Sequence, residues 1–193
     1  MRVLSTAAAA RRAALRHLAL SLAAGVVLTA AVPASPVRAA PTMAEYRIKA
    51  AFLYKFLSYV EWPPGALRDG PLVIGVVGPQ RLAAELREVT AGQSVDGHAV
   101  SVQQLAGSDT VGDVHVLFLA GKDGDSPTDE LAAARGRPVL TITESDIEAG
   151  AVINFVVVDD RVRFDIALPA ADANRLKISA RLLNVARRVV PRR

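Results

Sequence analysis

Leu72-Val73-Ile74-Gly75-Val76-Val77-Gly78-Pro79 is the stretch on which the fold turns. Leu72–Val77 is apolar throughout and rich in β-branched residues. It lacks the alternation of a half-solvated strand and is too short for a buried helix, so it reads as a strand covered on both faces. Gly78-Pro79 then opens a helix through about Thr90, with proline at the first helical position and Gly92 beyond the end. The pattern repeats downstream. His98–Gln103 is a weaker strand and Val114–Leu119 a strong one, Ser126-Pro127 opens a helix closed by Gly136, and Val139–Thr143 is the next strand. Ser145 with Glu148 makes a capping box for one helical turn before Gly150. Apolar strands separated by helices argue for a mainly parallel sheet with helices on both faces.

Upstream, residues 43–61 carry Tyr46, Ala50, Leu53, Leu57 and Val60 at helical spacing, with Glu45 four residues before Lys49. Phe52, Phe56 and Tyr59 form a second stripe, wide enough to predict packing on two sides, once against the protein's own sheet and once against another chain. Trp62-Pro63-Pro64-Gly65 ends the helix, because proline excludes the residue before it from helical geometry.

Near the other end, Ala151–Val158 and Arg161–Leu168 flank Asp159-Asp160 as a hairpin. A two-residue turn places Val157 opposite Val162, Phe155 opposite Phe164 and Ile153 opposite Ile166 on one apolar face. The second face then carries Val158 with Arg161, Val156 with Arg163, and Asn154 with Asp165. Residues 170–189 read as helical, with a break near 174–178, Leu182, Leu183 and Ala186 inward, and a basic end suited to the helix dipole. The expected fold is a three-layer α/β sandwich whose mainly parallel sheet has an antiparallel hairpin near one edge, preceded by an N-terminal helix.

The formal charge of +4 and pI near 9.8 would point to nucleic acid, but the excess lies at the front. Residues 1–39 hold Arg2, Arg11, Arg12, Arg16 and Arg38 and no acid; without them the chain has a net charge of −1, and no nucleic-acid partner is expected. A basic stretch through Arg16, an apolar run from Leu18 to Val32 and small residues around Ala39 have the layout of a secretory signal cleaved after about Ala39. The apolar run is shorter than the roughly 20 residues of a membrane-spanning helix. Arg11-Arg12 faintly echoes a twin-arginine signal, but general secretion accounts for it more simply. The reading is therefore a leader over residues 1–39 and a single periplasmic domain over 40–193, whose size allows a sizeable core. No cysteine is present, which removes disulfides, thiol nucleophiles and thiolate metal sites together.

Catalytic motifs are scarce beyond His98 and His115, and neither enzymatic activity nor a cofactor is expected. His115 lies in a strand and reads as a core histidine bonded to backbone. Asp123, Asp125 and Asp129 resemble the start of a calcium loop, but Pro127, Thr128 and Ala134 occupy positions that need a ligand, a glycine and a glutamate, so no metal site is assigned. Gly78, Lys122 and Glu144 follow strand ends and are rim candidates for a ligand. The best recognition candidates are Asn154, Arg161, Arg163 and Asp165, a polar patch on a rigid hairpin. Residues 161–193 have a net charge of +7 against −8 for 40–160. That polarity suits either neutralisation within the domain, the favoured reading, or an acidic partner or anionic lipid.

Several stretches together resemble the YfiR family of exported proteins. They are Glu45–Phe56, Tyr59–Pro63, Ile74–Gly78, His115–Phe118, Ile153–Val156, Arg161–Ile166, and Leu176–Ser179 leading into Leu182-Leu183. The resemblance implies a non-enzymatic periplasmic regulator that binds the exported part of a membrane-anchored diguanylate cyclase and holds it inactive, lowering cyclic di-GMP and biofilm formation. It also implies an outer-membrane lipoprotein able to sequester the repressor, and a homodimer is a further candidate assembly through Phe52, Phe56 and Tyr59. Cysteine pairs that let family members answer oxidation are missing here. A periplasmic small-ligand sensor or binding protein is the alternative, and it would need a concave polar pocket at the strand rim or around Arg163.

Overall fold

The computed structural model describes residues 41–67, 69–106, 112–121, 128–144 and 150–192. The leader, Lys122 and the Ser145–Glu148 capping box fall outside the described residues. Thr42 caps the first helix, α1 (Met43–Leu57), by accepting the Glu45 N–H. The helix stops earlier than the prolines alone require, because Val60–Glu61 (β1) pairs antiparallel with Lys177–Ile178 (β9) more than a hundred residues away. Then come β2 (Leu72–Val77), α2 (Gln80–Thr90), β3 (Ser94–Val95), β4 (His98–Leu105), β5 (Val116–Leu119), α3 (Thr128–Ala134) and β6 (Leu140–Thr143). Pro79 is the cap residue of α2 rather than its first helical residue. The chain continues as β7 (Ile153–Val158), β8 (Arg161–Ala167), α4 (Leu168–Ala173), β9, α5 (Ala180–Val185) and β10 (Arg188–Val190).

An eight-stranded sheet has the order β10-β8-β7-β6-β5-β2-β4-β3. Its ladders are parallel except for the β7–β8 hairpin and the short β3–β4 pair. Alternation along the strands divides the core in two. Leu72, Ile74, Val76, Val116, Phe118, Leu140 and Ile142 meet α1 and α2 on one face, with Leu182 of α5 in the same cluster. Val73, Leu117, Leu119 and Val139 meet Leu131 and Ala134 of α3 on the other. The expected three-layer α/β architecture, with its antiparallel hairpin close to one edge, is the observed one.

The hairpin register is the one that sorts the side chains: Val157 faces Val162, Phe155 faces Phe164, Ile153 faces Ile166 and Asn154 faces Asp165. Asp159 and Asp160 both have positive φ, 49° and 56°, as a two-residue turn matching the strand twist demands. The C-terminal region departs from the helical expectation. It is two short helices, and its basic end is β10, laid parallel on β8 with Arg188 beside Asp165. A run of three residues carries too little periodicity to separate strand from helix, and β8 supplies what decides it.

Candidate functional site

The hairpin's second face is split by β10. Asn154 and Asp165 are buried, at 2% and 1% exposure, so they are not part of a solvent-facing patch. Asn154 Oδ1 accepts the Thr143 hydroxyl proton at 3.0 Å. Asp165 receives a bidentate pair from Arg187, Nε to Oδ1 at 2.8 Å, with Arg188 Nε 3.5 Å away. The Asp165 hydrogen bond is what raises the Arg187 pKa further above its ordinary value. Arg163, which sequence placed beside Asp165, is not its partner. The ladder pairs Arg163 with Val156 while Arg187 arrives from the segment before β10.

Arg161 and Arg163 remain exposed. Among the described residues neither forms an ion pair. They line a cleft of about 520 Å³ with Val158, Asp159, Val185, Ala186 and the already paired Arg187. Val158 and Val185 are exposed large apolar residues, Val185 at 64%. The cleft therefore offers two guanidinium groups, the Asp159 carboxylate at the turn and two apolar contacts, on a scaffold fixed by the hairpin ladder and by the Arg187–Asp165 pair. Among the described residues the ion pairs of the basic segment are with its own acids, not with the rest of the domain as expected: Arg187 and Arg188 to Asp165, and Arg192 to Asp172 at 2.7 and 2.8 Å.

The aromatic stripe of α1 is corrected. Phe56 is 1% exposed and packs against Phe155 and Phe164, ring centroids 5.9 and 5.1 Å away. Phe52 is half-buried on the same two rings at 6.1 and 5.5 Å. Tyr59 is half-buried, and its carbonyl accepts the Ser179 N–H. The second stripe thus covers the hairpin's apolar face, so Phe56 is core rather than an interface residue.

Two of the rim candidates, Gly78 and Glu144, are tied to the protein's own atoms. Gly78, at φ +148°, lies where a Cβ would meet the Ala120 Cβ at 2.5 Å, so the glycine permits close packing of neighbouring strand ends. Glu144 accepts from Lys49 Nζ at 2.7 Å, and Glu45 holds the same ammonium from one turn back on α1. Lys49 is fully buried, an arrangement sequence reading missed although its signal was present: position 49 falls inside the 46, 50, 53 stripe.

At the opposite rim, where β2, β5 and β6 begin, a cavity of about 410 Å³ is lined by Asp69, Asp113, His115, Arg137 and Pro138 among others. His115 Nδ1 accepts the Val73 N–H at 3.1 Å. Burial first, and His98 second, lower its pKa, so the ring is held neutral with Nδ1 unprotonated. This is the backbone-bonded histidine the sequence suggested. No helix among the described residues is long and apolar enough to cross a membrane, and among them no His/Cys/Asp/Glu group is arranged to hold a metal.

Residues 46–187, most of the chain, match the family model described as YfiR/HmsC-like. No curated protein matches the chain.

Proposed function

The chain belongs to the YfiR/HmsC-like family, and from that premise we propose that it is a non-enzymatic periplasmic regulator that binds the exported part of a membrane signalling protein, a diguanylate cyclase, and holds it inactive. In this reading residues 1–39 are removed on export, residues 40–193 act as one domain, and an outer-membrane lipoprotein is a second partner. The observation that carries it is the cleft beside the β7–β8 hairpin. Arg161 and Arg163 stand exposed on a strand pair whose register and buried Phe155–Phe164 face leave it little freedom. A backbone preorganised in this way lowers the ordering cost of binding a partner, leaving that of the arginine side chains.

Deletion of the gene tests the reading. Cyclic di-GMP should rise several-fold and return to its starting level when the full chain is supplied. The same chain lacking residues 2–39 should fail to restore it although it folds. An unchanged level after deletion would overturn the regulatory role, and full complementation without the leader would overturn the periplasmic one.

A further inference from the structure

We infer that the cleft between β8 and the Val185–Arg187 segment takes up an extended partner segment carrying carboxylates at alternate positions, with the apolar side chain between them against Val185. The inference rests on the regulatory reading for the partner's identity, but its chemistry follows from the cleft alone. Arg161 and Arg163 are two residues apart on one strand, so their side chains leave the same face about 7 Å apart. That distance is also the i to i+2 repeat of any extended chain, so alternate carboxylates on such a segment fall opposite alternate arginines. Each guanidinium can take a carboxylate through two parallel hydrogen bonds. Both are available because Asp165, on the same face, is already held by Arg187 and Arg188.

Two other occupants fit less well. A second copy docking the same face on itself would set arginine against arginine, and like charges directly opposite are destabilising. A flat anionic membrane cannot enter the concave cleft between β8 and the Val185–Arg187 segment as a narrow extended segment can.

The test uses the leaderless chain and a dye-labelled pentapeptide alternating glutamate and valine, read by fluorescence anisotropy. The peptide should bind, more weakly as salt rises, and the Arg161→Glu/Arg163→Glu variant should lose about tenfold or more in affinity. Val185→Asp should lose affinity as well, and an alternating lysine–valine peptide should not bind. Circular dichroism melts of each variant should match the parent, since these side chains make no ion pair among the described residues. Equal binding by the double variant, equal binding of the lysine peptide, competition by phosphatidylglycerol vesicles for the same arginines, or self-association lost with them would each overturn the inference. Expression of the double variant with its leader separates the two claims. If deletion raises cyclic di-GMP and the double variant still restores it, the cleft assignment fails while the regulatory reading stands. If the peptide behaves as expected but deletion changes nothing, the regulatory reading fails and the cleft chemistry stands.

Discussion

At the scale of single residues, two buried ionisable groups carry tertiary consequences. Lys49 has its whole side chain out of water, and among the described residues Glu45 and Glu144 offset the cost of burying its charge. Lys49→Met leaves two carboxylates, each more than four-fifths buried, without a cation. Stability should fall by about 3–5 kcal/mol, measured by urea unfolding. Adding Glu45→Gln and Glu144→Gln should recover part of the loss, because neutral amides no longer repel. His115 contributes a pH dependence. Its folded pKa lies below the unfolded value, so the unfolded state binds the proton first on acidification. The stability it contributes is full above the unfolded value, about 6.5, and is lost as pH falls through the folded one. The melting temperature should therefore decline as pH is lowered from neutrality, and His115→Asn should flatten that part of the profile. A profile unchanged by the substitution would assign the decline to other groups.

Among the elements, the β7–β8 hairpin was legible residue by residue. Period-2 alternation on both sides of a two-residue turn admits only one register that keeps Ile153, Phe155, Phe164 and Ile166 together. Its turn is built from two aspartates at positive φ, a conformation that glycine and asparagine adopt with less strain. Asp159→Asn with Asp160→Gly should raise stability by about 1 kcal/mol in thermal unfolding, without changing the exposure of Arg161 or Arg163. The end of α1 and the strands β1, β9 and β10 were not legible. Each is two or three residues long and exists because a distant segment supplies its hydrogen bonds, as Lys177–Ile178 does for Val60–Glu61. The wide apolar arc of α1 was legible, but where the reading sent part of it to another chain, Phe52 and Phe56 pack on Phe155 and Phe164 of the protein's own sheet.

For the whole molecule, the sequence by itself determined the layering. Continuous apolar strands such as Leu72–Val77 alternating with helices leave a parallel sheet covered on both faces as the economical burial, and the two core clusters divide along the strands accordingly. It also located the recognition candidates, because a polar face on a hairpin follows from local alternation. Only the tertiary structure decided which of them face solvent. Asn154 and Asp165 share a face with Arg163, yet β10 and Arg187 enclose Asp165, Thr143 satisfies Asn154, and Arg161 and Arg163 stay open. Phe56 and Lys49 were settled in the same way, the one by the hairpin it covers and the other by Glu144. The physical reason is common to all four. Periodicity states which side of an element a residue occupies, whereas burial depends on what remote chain arrives on that side. The free energy of that arrival is a sum over packing, desolvation and pairing across the fold, which no local pattern encodes.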